Sequence, residues 1–324
     1  MVSMFELGFA VDGFTPAADI VSQAQAAETG GADTLWVATH LFHRDSIALA
    51  ASALAVTSEL KVALMAISPY AMHPVHAAMS AATLDELYPG RLVLCLGVGA
   101  PTDLQSAGIK KSRPLQVLHE AIVVCRSLFS GEEVSFKGDV FRVQNRRLAN
   151  GNRNIPIVLA ASGPKMLELA GAQADGVILS GATSTPFVKH CLGHVGAAED
   201  SGPIRKYGIV YAPLDIGDER RRNMLRRTLG FMLRGEHHAR NIECGGAALD
   251  QAALREAFQT EDWGRVEDLI SDDILARHTA FGNEGHARAR VEEYHTAGLD
   301  QVIINGITDA HEIASTLEAL KPRA

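Results

Sequence analysis

The sequence predicts an α/β protein, and within that class a (β/α)8 TIM barrel with insertions at the barrel mouth. Eight short apolar runs alternate along the chain with longer stretches of helical period, a pattern typical of βα units around a parallel sheet. The length of 324 residues suits a barrel of about 250 residues that carries insertions. A doubly wound open sheet is the alternative.

The eight apolar runs are bounded by turn and helix signals. They predict strands at Leu7–Val11, Thr34–Ala38, Val62–Ala66, Leu92–Leu96, Ile157–Ala160, Gly176–Leu179, Tyr207–Tyr211 and Gln301–Ile304. The first intervening helix is predicted to have Thr15 as its cap and Pro16 at its first position, and to stop at Gly30–Gly31. The other segments repeat the strand and helix alternation.

A short internal repeat supports this organisation. The segments GGADTLWVA, GAQADGVILS and AGLDQVIIN each place an aspartate shortly before a strand, at Asp33, Asp175 and Asp300. Aspartate in such turns accepts hydrogen bonds from nearby backbone N–H groups. We therefore interpret these three residues as structural.

Two stretches interrupt the alternation within what we expect to be one domain over residues 1–324. Residues 130–154 predict a hairpin with Gly138–Asp139 in its turn, and residues 221–282 predict a charged helical insertion. Both are expected to cover the barrel mouth. The arginine runs at 220–222 and 226–227 are interpreted as a solvated helix face, with anion binding as the alternative.

Composition limits the kinds of ligand. The formal net charge is −8 and the pI is near 5.9, which argues against nucleic acid or an anionic membrane as partner. Four scattered cysteines without a CxxC pair indicate reduced thiols. With no signal-like start and no run of 18 apolar residues, we expect a cytoplasmic protein that binds a small organic molecule.

Small residues follow two of the predicted strands. After one strand come Ala160, Ala161, Ser162 and Gly163, and then Pro164 starts a helix whose N-terminus favours an anion such as phosphate. After another strand, Gly97 and Gly99 leave room for a flat ring or a phosphate. A tight turn without a ligand is the alternative for both segments.

His40 follows the second strand in VATHLFHRDS and is the candidate proton donor or acceptor. A hydrogen-bonded loop histidine is the structural alternative. His73 and His76 lack further ligands in the sequence pattern, so no metal is predicted. The chain has no G-x-G-x-x-G after its first strand, no P-loop and no G-x-S-x-G elbow, which argues against Rossmann NAD binding, nucleotide hydrolysis and esterase chemistry.

The motif order then resembles a known family. The blocks are GADTLWVATH, SPYAMHP, TLDELYPGRLVLCLGVG, SGEEVSFKGDVF, PIVLAASGPKMLELAGAQADGVI and EEYHTAGLDQVII. Together they resemble the bacterial luciferase-like superfamily over nearly the whole chain, and especially its deazaflavin-dependent branch, typified by methylenetetrahydromethanopterin reductase. The resemblance implies a barrel, usually a homodimer, that binds coenzyme F-420 or FMN in its mouth.

The resemblance also implies roles for individual residues. The cofactor phosphate would lie on the backbone amides of Ala161–Gly163, with the 97–99 loop nearby, and a non-proline cis peptide would join Met65 to Ala66 behind the ring. His40 would lie close to cofactor and substrate. The implied cofactor-binding residues are Met65, Ala66, Ser68, Gly97, Val98, Gly99, Ala160, Ala161, Ser162 and Gly163.

The expected function is hydride exchange between a bound deazaflavin or flavin and a small organic substrate, with Ser68 as a hydrogen-bonding group near the ring. The sugar-phosphate dehydrogenases of this branch place a glutamate where Ala100 stands here, which argues against sugar-phosphate oxidation. No residues that would fix a pterin were identified. The alternatives are an FMNH2-dependent monooxygenase that activates O2 and, from another class, a non-catalytic flavin-binding barrel or a phosphate-binding lyase, for which Lys165 is the one lysine near a strand end.

Overall fold

The computed structural model describes residues 5–197 and 202–322. Within these ranges the strands are β1 (Glu6–Val11), β2 (Thr34–Ala38), β3 (Lys61–Ile67), β4 (Leu92–Leu96), β5 (Val134–Lys137), β6 (Arg142–Arg146), β7 (Ile157–Ala160), β8 (Gly176–Leu179), β9 (Arg205–Tyr211) and β10 (Gln301–Asn305). The first seven helices are α1 (Asp19–Thr29), α2 (Ser46–Val56), α3 (Pro74–Leu87), α4 (Pro101–Ser106), α5 (Pro114–Phe129), α6 (Pro164–Gln173) and α7 (Thr185–Gly196). The others are α8 (Glu219–Leu233), α9 (Ala239–Gly245), α10 (Gln251–Gln259), α11 (Trp263–Leu269), α12 (Asp272–His278), α13 (Glu284–Thr296) and α14 (Ala310–Leu320).

The parallel strands close into a barrel, in the order β1-β2-β3-β4-β7-β8-β9-β10 with β10 beside β1. Closure confirms the (β/α)8 prediction and excludes the open doubly wound sheet. Every predicted strand coincides with a barrel strand to within two residues at each end. Because parallel strands all point the same way, their carboxyl ends form one rim, which we call the mouth.

Two apolar layers hold the barrel together. The interior layer includes Trp36, Cys95, Val158 and Ile303, all fully buried. A larger layer fills the space between the strands and the surrounding helices. The indole Nε1–H of Trp36 donates to Oε1 of Gln301 at 2.8 Å, so this polar pair inside the barrel is satisfied, as a buried position requires.

The three repeated aspartates tie neighbouring strands together, as their structural interpretation predicts. Asp33 accepts from the backbone N–H of Leu7 at 3.2 Å. Asp175 accepts from Ile157 at 2.7 Å, and Asp300 accepts from Lys206 at 2.8 Å. In each case the aspartate before one strand binds the start of the preceding barrel strand, at the end opposite the mouth.

The predicted start of the first helix was wrong. The helix begins at Asp19 with Ala18 as its cap, and Pro16 instead belongs to a turn in which its carbonyl accepts from the N–H of Asp19. The reason is tertiary: the guanidinium of Arg44 donates to the carbonyls of Gly13 and Phe14 at 3.2 and 2.9 Å. These contacts hold the segment in a loop at the mouth, against its local helical signals.

The two interruptions have different structures. β5 and β6 pair as an antiparallel two-stranded sheet between α5 and β7. Helices α8 to α12 follow β9 and enclose a separate apolar core. On α8, the guanidinium of Arg222 pairs with Asp215 at 2.8 Å, that of Arg226 with Asp272 at 2.7 Å and that of Arg227 with Glu267 at 2.6 Å, while Arg221 pairs with Glu312. These pairs favour the solvated-face interpretation over anion binding.

Among the described helices, none has the length and apolar character needed to cross a membrane.

One buried carboxylate fixes the hairpin turn. Glu120 on α5 is 1% exposed and accepts from the backbone N–H groups of Asp139, Val140 and Phe141 at 2.8 to 3.0 Å. Burial raises the pKa of this carboxyl, but the hydrogen bonds from Gln116 and the three backbone groups outweigh it and hold the pKa at about 2. The charged form is therefore the stabilising one.

We predict that Glu120→Gln lowers the free energy of unfolding by about 3 kcal/mol at pH 7, because an amide cannot accept all three charge-assisted bonds. The folded-state pKa lies below the ordinary 4.5, so the stabilisation is complete above pH 4.5 and is lost as the pH falls through about 2. Denaturant unfolding at several pH values should show the difference between the two proteins shrinking over that window. The exposed Glu132→Gln serves as control, and an equal loss there would contradict this explanation.

Candidate functional site

The predicted site residues lie on adjacent strands. His40 follows β2, Met65, Ala66 and Ser68 lie at the end of β3, the 97–99 loop follows β4 and the 160–163 segment ends β7. These four strands are neighbours in the barrel. The structure therefore brings all the predicted positions to one side of the mouth.

Three of these strands approach one another closely at Gly97. A Cβ atom on Gly97 would lie 3.0 Å from the Cβ of Ala66 and 3.3 Å from the Cβ of Ala160. Met65, Ala66 and Ala160 are partly exposed although they pack on the barrel interior. The peptide bond from Met65 to Ala66 is cis, at the position that the resemblance implies. Around Gly97 the result is a floor of backbone and the methyl groups of Ala66 and Ala160, with Met65 packed on the same interior layer, which suits a flat ring.

Ser68 supports the glycine loop. Its hydroxyl donates to the carbonyl of Val98 at 2.7 Å and accepts from the N–H of Tyr70 at 3.3 Å, and the side chain is buried. Gly99 has φ +90°, and a Cβ there would meet the Ser68 hydroxyl at 3.1 Å. The Ser68 proton is thus engaged by the loop, and its geometry supports positioning of the loop more directly than donation to a ring.

The segment after β7 contains one backbone N–H that is already hydrogen-bonded and a helix N-terminus that no side chain caps. The N–H of Ala161 donates to the carbonyl of Ile178 at 3.1 Å, so the predicted phosphate contacts reduce to Ser162, Gly163 and the first turn of α6. Gly163 caps that helix without a side-chain hydrogen bond, and Pro164 is its first residue. A Cβ on Gly163 would meet nothing within 4 Å. The N-terminus of α6 therefore opens towards space that an anion can occupy.

His40 stands at the rim beside an acidic residue. Its Nδ1 lies 3.8 Å from Oδ2 of Asp103, and the side chain is 44% exposed. Burial among the surrounding loops lowers the pKa of His40 below its usual 6.5, while the carboxylate of Asp103 opposes that shift and the nearby His43 adds to it. The imidazole is therefore neutral at pH 7, the form that accepts a proton.

Asp103 is a residue that the sequence analysis missed. The pattern after the glycine loop drew attention to Ala100, whereas α4 turns the chain back so that Asp103, in its first turn, faces His40.

Tyr211 was also missed. It ends β9, and Cβ atoms on Gly181 and Gly306 would each lie 3.1 Å from its ring. Burial raises the pKa of Tyr211 to about 12, so the phenol is protonated and can donate. The available signal in the sequence was the glycine that follows each neighbouring strand, Gly181 after β8 and Gly306 after β10.

The helical insertion fixes the loop after β8. Ala182 in this loop has φ +60°, which is unusual for a residue with a side chain. Buried Asn241 on α9 donates to the carbonyl of Ala182 at 2.7 Å and accepts from the N–H of Ser184 at 2.9 Å. Burial lowers the pKa of His278 to about 4, and this neutral ring lies 2.9 Å from the same carbonyl. The insertion thereby determines one wall of the mouth.

Together these features define a class: a (β/α)8 barrel whose mouth has small residues at three adjacent strand ends, an open helix N-terminus and a histidine at the rim. A tricyclic ring with a phosphate chain fits this arrangement, because the strand ends that meet at Gly97 contribute small residues and α6 presents an N-terminus that no side chain caps. Among the described residues no cluster of three or more metal-ligating side chains was found.

Comparison with known proteins agrees with that class. Residues 2–301 match the family described as luciferase-like monooxygenase, and the chain belongs to this family. It is 27% identical over 291 residues to 5,10-methylenetetrahydromethanopterin reductase of Archaeoglobus fulgidus, covering 86% of each chain.

Solved structures show the same fold. The coenzyme F-420 dependent tetrahydromethanopterin reductase from Methanopyrus kandleri superimposes with a TM-score of 0.88 at 20% identity, over 98% of this chain and 97% of the other. The oxygenating component of 3,6-diketocamphane monooxygenase from Pseudomonas putida, in complex with FMN, gives 0.71 at 15% identity, over 98% and 97%.

We predict that Gly99→Ala lowers the free energy of unfolding by about 1–2 kcal/mol, because a Cβ at φ +90° is strained and crowds Ser68. Gly163→Ala should change it by less than about 0.5 kcal/mol, since its Cβ meets open space. Denaturant unfolding of both variants tests the pair. Equal losses would show that the 97–99 loop does not depend on glycine.

We predict that Asp103→Asn lowers the pKa of His40 further, because the carboxylate that favours the imidazolium is removed. An NMR titration of the histidine signal that disappears in His40→Gln measures this shift. Asp268→Asn, in the helical insertion, is the control and should leave the titration unchanged. A raised or unchanged pKa in Asp103→Asn would contradict the assigned pair.

Proposed function

We propose that this protein is an oxidoreductase that binds coenzyme F-420 in the barrel mouth and exchanges a hydride between that cofactor and a small organic substrate. One observation carries the proposal. The ends of β3, β4 and β7 meet at Gly97 through the small residues Ala66 and Ala160, and the neighbouring strand β2 leads to a rim histidine that is neutral at pH 7. Such a surface accommodates a flat ring and places a proton acceptor next to it.

When bound, the deazaflavin supplies the carbon centre that accepts or releases hydride. The residues of the chain position the cofactor and transfer the proton. The floor at Ala66 and Gly97 supports the ring, and Ser68 holds the Val98 carbonyl in place. The first turn of α6 favours the phosphate. His40 accepts the proton of a substrate hydroxyl during oxidation, and its protonated form returns a proton during reduction.

The rim beside His40 favours a substrate with an apolar part. Phe14 and Phe42 are 61% and 74% exposed, on the loops after β1 and β2. The ring of Phe14 lies 4.2 Å from that of His43, which is in turn 5.9 Å from His40. Exposed aromatic surface next to the proton acceptor supports binding of an uncharged carbon skeleton.

The names of the relatives support the choice of cofactor. A reductase with 27% identity over most of the chain and a coenzyme F-420 dependent structure with a TM-score of 0.88 favour the deazaflavin. An FMNH2-dependent monooxygenase is the second candidate, supported by the family description and by an FMN-bound relative. Both cofactors present a flat tricyclic ring and a phosphate.

We also propose that the enzyme works in the cytoplasm as a homodimer. Free cysteines, among them the buried Cys95, Cys125 and Cys191, support a reducing compartment. The dimer follows from the family resemblance. Light scattering from the purified protein measures its oligomeric state, and a monomer would contradict the second part.

We predict that the purified protein binds coenzyme F-420 with micromolar affinity and that Gly163→Asp weakens this binding by about 100-fold or more, because a carboxylate then faces the phosphate. Fluorescence titration with coenzyme F-420 and FMN, each oxidised and reduced, measures it. Gly163→Asn has the same shape without the charge and should bind far better than Gly163→Asp. Neither variant should lower the thermal stability, since the position is open and both side chains are favoured at a helix N-cap.

Other outcomes of this titration decide between the candidates. Preference for reduced FMN, followed by turnover that stops without O2, would replace the hydride-exchange proposal with the monooxygenase. A hydride enzyme continues to turn over anaerobically. Binding of neither cofactor would contradict both redox functions and the non-catalytic flavin-binding barrel, and would leave the lyase.

A further inference from the structure

A cleft beside the glycine loop has no role in the function described so far. Its volume is about 380 Å³, and it lies between α4 and the segment that follows this helix. Leu104 and Ile109 provide apolar surface, and Lys110 and Lys111 lie at its edge. The chemistry of the lining is thus apolar with two cations.

The cations are available for a ligand. Lys110 and Lys111 are exposed, and neither forms an ion pair with any other described residue. Arg113, two residues further on, faces Asp139 at a distance of 3.6 Å and stays 59% exposed. Three positive charges within four residues stand out in a chain whose net charge is −8. This local concentration favours an anion.

The cleft adjoins the glycine loop of the proposed cofactor site. Leu104, which lines it, would lie 3.6 Å from a Cβ on Gly99. The hydroxyl of Tyr70 donates to the carbonyl of Ser112 at 2.5 Å, and its N–H donates to Ser68, so the basic segment is fixed to the end of β3. β4, which leads into this cleft, pairs directly with β7, which leads to the proposed phosphate position.

We propose that this cleft binds the polycarboxylate tail of the cofactor, with Lys110 and Lys111 facing its carboxylates. This inference rests on the proposed function. Coenzyme F-420 continues beyond its phosphate into a lactyl group and a chain of glutamates, whereas the phosphate of FMN is terminal. The basic cleft therefore gives the chain a means to select the deazaflavin over FMN.

The expected contribution is modest, because exposed ion pairs are screened by water and salt. Neutralising both lysines should weaken binding of the full-length coenzyme by about tenfold. Binding of a truncated deazaflavin that ends at the lactyl group should change by less than about twofold. The difference between the two ligands should decrease as salt is added.

The experiment compares two ligands on three proteins by fluorescence titration, at low and high salt. The ligands are coenzyme F-420 with its glutamate chain and the same molecule without glutamates. The proteins are the wild type, the double variant Lys110→Gln/Lys111→Gln, and the control Lys61→Gln/Lys189→Gln, whose two exposed lysines lie outside the cleft. We expect the tail to strengthen binding to the wild type and the control but not to the cleft variant.

Equal binding of the two ligands by the wild type, or an equal effect of both double variants, would overturn the cleft assignment. In either case binding of the truncated deazaflavin would still support the proposed function, so the two failures are distinguishable. If neither deazaflavin binds to the wild type, the proposed function fails and the cleft assignment fails with it.

Discussion

The close approach of β3, β4 and β7 at Gly97 determines what the barrel mouth can hold. With a Cβ at Gly97 only 3.0 Å from Ala66 and 3.3 Å from Ala160, a larger residue at any of the three positions would displace its neighbours. A bulky side chain would also fill the space above them. Small residues on adjacent strand ends therefore meet two requirements: they let the strands pack closely, and they keep the surface above them open for a ligand. The titratable side chains near this surface, His40, Asp103 and Tyr211, come from the rim.

Rim residues need fixed loops, and buried polar groups supply that rigidity. Ser68 holds the 97–99 loop through the Val98 carbonyl, and Asn241 holds the loop after β8 from a helix that is not part of the barrel. Glu120 does the same for the hairpin turn. Each uses a side chain to satisfy backbone groups that no strand or helix can pair. The helical insertion thus contributes to the mouth by fixing the loop after β8.

The sequence predicted the barrel well because its signals are local. Apolar runs located all eight barrel strands, and the glycines with positive φ or no room for a Cβ were visible as small residues after strands. The start of α1 could not be found in this way, because Arg44 holds the preceding loop from 30 residues away. Asp103 was missed for the same reason: its proximity to His40 depends on how α4 turns. The structure gives the positions of the site residues, but their roles in binding and catalysis stay predictions.

Charge is distributed unevenly over this mouth, and the distribution matches the two kinds of ligand proposed for it. A neutral His40 beside exposed aromatic rings suits a substrate that is uncharged, while the α6 N-terminus and the lysines of the α4 cleft suit an anion. In a chain of net charge −8, the long-range field repels anions in general, so an anionic ligand must gain its affinity from short-range contacts. A cofactor with several negative charges can make such contacts at two places at once, which a singly phosphorylated one cannot. In the proposed binding mode, selectivity depends on the number of matched sites more than on the strength of any one of them.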